Sequence, residues 1–262
     1  MDKLNEIKIN ELSWKPDKKQ ELILKDISLN LANGEFYGIV GPNGAGKTTI
    51  ARQLLKLLEK TTGDIYFDEN NIDDMSRNKL AHKISFLPQS IKADTDFSVY
   101  DIVSMGREPH RKSFTSLTGT DKSIIDEALE FTDCMKNRDK IFSTLSGGER
   151  QRVMIARTIA QDTPWVVLDE PVSNLDVKHQ ISLMKVLNEL RTKKSKTIIA
   201  ILHDINLVAN FCSKVILLKD GDVFAFGDTF SILTTENLKA VYGIDFEVIN
   251  RDNKLPLIVP IY

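Results

Sequence analysis

The sequence predicts an α/β fold built on a mainly parallel sheet covered on both faces, with an N-terminal antiparallel β subdomain and an inserted helical subdomain. Three observations carry that expectation. Short, wholly apolar runs alternate with segments of helical period, the stretch from Glu6 to Leu31 instead alternates apolar with polar, and strand signals fade between about Ser98 and Ala160. At 262 residues the chain accommodates one large unit with an insertion as readily as a pair, and it is read as a single domain over 1–262. Residues 1–97 and 161–230 are expected to form the core with its antiparallel part, 98–160 the helical subdomain and 231–262 a C-terminal extension.

Taken in order, "EIKINELSW" (Glu6–Trp14) and "LILKDISLNL" (Leu22–Leu31) are strands by their alternation, joined by a polar turn. The Gly34 turn leads into "FYGIV" (Phe36–Val40), a short buried strand. The next helix gathers Ile50, Leu54, Leu55, Leu57 and Leu58 on one face. "GDIYFDE" and "KISFLPQ" are further strands; after the helical stretch come "WVVLDE" (Trp165–Glu170), "TIIAILHD" (Thr197–Asp204) and "KVILLKDG" (Lys214–Gly221).

Bulk properties narrow the function. With 35 basic and 37 acidic residues the formal net charge is −2, which offers no general attraction for nucleic acid or anionic lipid. Cys134 and Cys212 have no paired spacing and are read as core or surface fillers, not as a disulfide or a zinc site. "MDKLNEIKIN" does not have the pattern of a secretory signal. The longest apolar runs, Trp165–Leu168 and Ile198–Leu202, fall far short of the ~20 residues that cross a bilayer. A soluble protein of a reducing compartment is expected.

The chemistry begins with "GPNGAGKTT": Gly41, Pro42, Asn43, Gly44, Ala45, Gly46, Lys47, Thr48 and Thr49 match G-x-x-x-x-G-K-[ST] between a strand and a helix. Glycines let such a loop curl its amides inward onto phosphates, the lysine reaches the β and γ oxygens, and the Thr48 hydroxyl serves Mg²⁺. A phosphate loop needs a second acidic element. "WVVLDE" supplies it, with Asp169 placed for a metal-bound water and Glu170 as the general base for an attacking water, a role worth roughly 10² to 10⁴ in rate. His203 also follows a strand, where ligands of open α/β sheets gather, and is assigned to the catalytic site; Gln89 ends a similar strand and is either a catalytic-site residue or a plain turn residue.

In "TLSGGERQRVMIARTIA", Ser146 and Glu149 stand three apart at the start of an apolar-periodic helix and are expected to cap each other's backbone amides. Gly147 and Gly148 between them leave the positive end of the helix dipole open to an anion. No phosphate loop lies beside it in sequence.

The ordered set "GPNGAGKTT", Gln89 after "FLP", "LSGGERQ", "WVVLDE", "SNLD" (Ser173–Asp176) and His203 resembles the ATP-binding subunits of ABC transporters, over about Ile7 to Ile249. The resemblance implies a P-loop NTPase core of RecA-like type, ATP and Mg²⁺ as cofactors, and a nucleotide sandwich between two subunits. Ser146, Gly147, Gly148 and Glu149 would then meet the γ-phosphate held by a partner chain, with Asp176 also at the nucleotide and Gln89 joining Thr48 and Asp169 at the metal. The family's N-terminal aromatic falls near Trp14 or Pro16; Trp14 either stacks on adenine, worth roughly 1 to 3 kcal/mol, or packs within its strand. Val172 stands where a threonine is common.

"MGREPHRKSF" (Met105–Phe114) and the stretch Leu202–Ile249 are similar to subunits that drive importers of iron siderophores, haem and cobalamin. Arg107, His110, Arg111 and Lys112 with Phe114 form either a solvated basic loop or a face for the membrane partner. The implied partners are a second copy of the subunit, an integral membrane permease and an extracellular or periplasmic substrate-binding protein, with no nucleic acid; the implied location is the cytoplasmic face of the membrane. The rivals are a soluble ATPase of the same superfamily in DNA repair or translation, and a non-hydrolytic binder, which would be expected to lack Glu170 or His203.

Overall fold

The computed structural model describes residues 6–89, 95–111, 115–173, 175–251 and 254–261. They belong to two compact units, residues 1–76 with 197–262 and residues 77–196. The first unit opens with β1 (Ile7–Trp14), β2 (Leu24–Leu31), β3 (Phe36–Val40), α1 (Lys47–Leu54), β4 (Thr62–Phe67) and β5 (Asn70–Asn71). The second contains α2 (Arg77–Ala81), β6 (Ile84–Leu87), α3 (Val99–Ser104), α4 (Gly119–Phe131), α5 (Gly147–Ala160), β7 (Trp165–Asp169) and α6 (Val177–Lys194). The chain returns to the first with β8 (Thr197–Ile201), α7 (Ile205–Phe211), β9 (Lys214–Lys219), β10 (Asp222–Asp228), α8 (Thr229–Ile232), α9 (Thr235–Tyr242), β11 (Asp245–Arg251) and β12 (Lys254–Ile261).

In the first unit, β2, β1, β4 and β5 form an antiparallel sheet in that order. Alternation sends Ile7 and Ile9 to the core, and a register shift at Glu11 (φ 48°) brings Leu12 to it as well, opposite Leu31, Leu29 and Ile27 of β2 respectively. A second sheet runs β10-β9-β3-β8, with β3 parallel to both of its neighbours. All five residues of β3 are buried, as a strand covered on both faces requires. The carboxyl ends of β3 and β8 therefore lie side by side, one leading into Gly41 and the other into His203.

Helix α1 is shorter than the leucine spacing predicts. It ends at Leu54, and Leu55, Leu57 and Leu58 lie beyond it, Leu57 being 59% exposed. Lys56 takes a left-handed φ of 54°, and its Nζ donates to the carbonyls of Ile72, Asp73 and Met75 at 3.2, 2.7 and 3.2 Å. Those distant acceptors close the helix where periodicity would have continued it. The C-terminal hairpin β11–β12 goes beyond the strands read from the sequence. It buries Phe246 and Ile258, and Asn206 of α7 both donates to the Ile258 carbonyl (3.0 Å) and accepts from its amide (2.9 Å).

In the second unit β6 and β7 pair in parallel from Ile84 opposite Trp165 to Leu87 opposite Leu168. Between them the described residues form helices whose starts are set locally. Ser98 with Asp101, Thr118 with Asp121 and Ser146 with Glu149 make reciprocal capping boxes on α3, α4 and α5. Val99, Val103, Ile125, Leu129, Val153 and Ile155 supply this unit's helical core. Cys134 and Cys212 are both buried free thiols, in keeping with their reading as fillers, and burial pushes the Cys134 thiol up.

Candidate functional site

The first unit carries the phosphate loop. Gly41 (φ 149°) and Gly46 (φ 96°) hold backbone conformations that side chains resist, and neither has room for one. A Cβ on Gly41 would lie 2.3 Å from the Leu218 carbonyl oxygen; on Gly46 it would lie 2.6 Å from Leu24 Cδ2. Asn43 and Gly44 stand exposed at the tip, while the buried Ala45 donates its amide to Pro42 at 3.2 Å. Lys47 is 6% exposed and bends back over the loop, its Nζ donating to the carbonyls of Gly41 and Pro42 at 2.8 Å each. Thr48 and Thr49 follow in the first turn of α1, a helix whose N-cap, Gly46, offers no capping side chain and whose first turn holds no acid. Its positive end is open to an anion.

His203 is brought to the same end of the sheet. It is exposed, two residues past β8, and Asp204 beside it starts α7 by accepting from the amides of Asn206 (2.8 Å) and Leu207 (3.2 Å). Trp14 is half-buried at the end of β1, directly opposite Leu24, whose side chain is the one that crowds Gly46. Trp14 is therefore paired across the strands with a residue that packs against the phosphate loop.

The second unit brings Gln89 and Glu170 together. Each follows the carboxyl end of one member of the β6–β7 pair, and Gln89 Nε2 donates to Glu170 Oε2 at 2.8 Å. Glu170 has a left-handed φ of 51°, a conformation costly for a glutamate and held by its surroundings. Its carbonyl accepts from the Ser173 hydroxyl at 3.1 Å, and Gln151 of α5 donates to the next carbonyl, Pro171, at 2.8 Å. Asp169, 2% exposed, ends β7. Val172 is buried.

At the start of α5 the Ser146 amide and hydroxyl donate to Glu149 Oε2 at 3.0 and 2.8 Å, and the Glu149 amide donates to Ser146 Oγ at 3.4 Å. Asn137 adds a bond to Glu149 Oε1 at 3.1 Å. The Ser146 bonds, with Asn137 assisting, hold the Glu149 carboxyl well below its ordinary value, at about 2. Ser146 and Gly147 are exposed, with open space beside the Gly147 Cα. Asp176 caps α6, accepting from the His179 amide and ring at 2.9 Å each, which lowers its own pKa. Asn174 of the "SNLD" run lies outside the described residues.

The basic segment departs from the expectation of a charged face. Arg107 is 5% exposed, with Nε bonded to Asp121 Oδ1 at 2.9 Å and Nη1 to the Ala160 carbonyl at 2.8 Å. Its charge is spent inside the unit and is not offered to a partner. His110 Nε2 is 2.8 Å from the Gln161 carbonyl, and Arg111 pairs with Glu108 at 2.5 Å. Lys112 and Phe114 lie outside the described residues. Sequence reasoning also passed over Asn137, Gln151 and Asp121. The hint for Gln151 was a polar residue one turn into an apolar-periodic helix; Asn137 and Asp121 gave none beyond local capping.

Comparison with known proteins is consistent with this geometry. The ABC transporter family model matches residues 24–173. The iron(3+)-hydroxamate import ATP-binding protein of Bacillus subtilis is 35% identical over 235 residues, 89% of this chain and 87% of that protein. A metal-chelate type ABC transporter solved in an inward-facing conformation is similar with a TM-score of 0.85 at 28% identity, covering 98% of this chain and 97% of that one. A dimeric ATP-binding cassette in a post-hydrolysis state with ADP and Pi gives a TM-score of 0.74 at 28% identity, covering 85% and 98%. Nothing in these matches supports a role in DNA repair or translation.

Proposed function

The chain belongs to the ABC transporter family and is an ATP-hydrolysing subunit of it, and from that premise we propose that two copies close on two ATP molecules to drive a permease that imports an iron chelate. The observation that carries the hydrolytic part is the 2.8 Å bond between Gln89 and Glu170. Glu170, in a strained turn at the end of a buried strand, takes the proton of the attacking water. Lys47 and the amides from Gly44 to Thr49 bind the phosphates, and Trp14 stacks on the adenine. His203 meets the terminal phosphate from the strand beside the loop.

The donor set suits Mg²⁺: the Thr48 hydroxyl, the Asp169 carboxylate and the Gln89 amide oxygen are hard oxygen ligands, two of them at strand ends. When bound, the ion neutralises charge on the phosphates. Ser146, Gly147, Gly148 and Glu149 serve the partner copy's ATP, and Asp176 approaches the same interface. ATP drives the cycle because it binds the closed pair better than the open one.

A permease supplies the passage, with the subunit held at its cytoplasmic face; among the described residues no helix is long and apolar enough to cross a membrane. A substrate-binding protein delivers the cargo. The named relatives favour a ferric siderophore, with haem and cobalamin as alternatives. The test is twofold. Glu170→Gln must lose about 100-fold or more in hydrolysis while still binding ATP; near-normal hydrolysis rejects the base. A strain lacking this chain must lose growth on a ferric hydroxamate and regain it with wild type but not with Lys47→Ala; undiminished uptake without the chain rejects the import reading.

A further inference from the structure

Nucleotide chemistry leaves residues 105–110, a single 3₁₀ stretch in the helical insertion, without a role. They lie against the last turn of α5: a Cβ on Gly106 would be 2.3 Å from the Arg157 carbonyl oxygen and 3.2 Å from Ala160 Cβ. Arg107 and His110 then take the carbonyls of Ala160 and Gln161. Carbonyls at a helix's C-terminus have no partner within the helix and face the negative end of its dipole, so a buried guanidinium is suited to them twice over. The other edge of that guanidinium grips Asp121, which closes the capping box of α4.

The contacts continue on the far side. Gln161 Nε2 donates to the carbonyls of Ala81 (2.8 Å) and Ile84 (3.2 Å), at the entry to β6, and Asn78 of α2 donates to the Pro109 carbonyl at 3.0 Å. A continuous set of hydrogen bonds therefore joins β6, α2, residues 105–110 and the C-terminal end of α5. Strand β6 leads to Gln89 and its bond with Glu170, and the opposite end of α5 presents Ser146.

We propose that Gly106, Arg107 and His110 form a positioning clamp that fixes helix α5 against strand β6, so that the Gln89–Glu170 pair and the Ser146 end of the same chain move together. Resting on the two-copy reading above, this couples one chain's own ATP to the one it shares with its partner. Arg107 touches no substrate; it acts through α5. Hydrogen-bond networks carry coupling where they have two discrete arrangements, which the open and closed pair would supply.

The test uses the full chain with Glu170→Gln, adding Arg107→Met, Arg107→Lys, His110→Phe or His110→Gln. ATP affinity of the dilute monomer, read with a fluorescent ATP analogue, stays within about twofold of the parent, because the phosphate loop is untouched. The ATP concentration giving half-maximal dimer rises about tenfold in Arg107→Met, the worth of a lost charged hydrogen bond, and roughly two- to fivefold in His110→Phe, which loses a neutral one because partial burial holds the imidazole below its ordinary value. It rises less in Arg107→Lys, and His110→Gln, which keeps a donor, stays close to the parent. Equal dimer midpoints throughout would overturn the clamp. Amide exchange in the nucleotide-free chain reads the clamp without any dimer: protection along α5 and at Gln89 must fall in His110→Phe and return in His110→Gln, and unchanged protection also overturns it. A parent that never dimerises with ATP sinks the two-copy reading instead, leaving exchange to judge the clamp.

Discussion

Replacing Asp121 with asparagine removes one charge from the Arg107–Asp121 pair, an enclosed ion pair with side chains 6% and 9% exposed. The Thr118 hydroxyl bond, joined by Arg107, holds the Asp121 carboxyl at about 2 against an ordinary 3.8. That preference for the charged form is on the order of 2 kcal/mol. A guanidinium stranded in a buried site by loss of its partner costs about 3–5 kcal/mol, and asparagine keeps an oxygen for the cap, so a loss of about 2–3 kcal/mol is expected. For a chain of this size the melting temperature falls by roughly 4–12 °C. Because the native pKa is depressed, the carboxylate's contribution is complete above pH 3.8 and is lost as the pH falls towards about 2. Urea unfolding at neutral pH measures the loss, and adding Arg107→Met to Asp121→Asn should recover part of it, since no guanidinium is then left stranded and the cap keeps its oxygen. A loss below about 0.5 kcal/mol, or a double variant no better than Asp121→Asn, would refute the reasoning.

Gly46→Ala forces a Cβ to within 2.6 Å of Leu24 Cδ2 at a φ of 96°, and unfolding experiments should show about 2–4 kcal/mol of destabilisation together with loss of ATP binding. Glu149→Gln should flatten the acid limb of stability, because the wild-type contribution is full above pH 4.5 and disappears as the pH drops towards about 2; a pH series of melting curves checks this. Trp14→Ala should weaken ATP binding roughly 5- to 150-fold if the indole stacks on the base, whereas unchanged affinity with lowered stability would assign it to strand packing.

What could be read from the sequence was local. The phosphate loop is a continuous run whose glycines are dictated by its own backbone, and the Ser146–Glu149 box spans three residues. Strand β3 announced itself by being apolar throughout. Features set by distant contacts were illegible. Arg107 finds its acceptors 14 and 53 positions away, so "GREPH" reads as a basic surface although the guanidinium is buried. Helix α1 stops early because Lys56 is held by carbonyls 16 to 19 residues on. Gln89 and Glu170 each occupied a recognisable strand end, but their bond spans 81 positions and follows only from the pairing of β6 with β7.

The central claim is that Ser146 of one copy serves the ATP held by the phosphate loop of another. The most direct measurement is chemical crosslinking in a Glu170→Gln chain in which the buried thiols are removed by Cys134→Ala and Cys212→Ala. Single cysteines are then introduced by Ser146→Cys and Asn43→Cys, both at exposed positions, and a short bifunctional reagent is added with and without ATP. The account predicts covalent dimers that form with ATP and vanish without it. Crosslinks confined to monomers, or dimers indifferent to ATP, would contradict it.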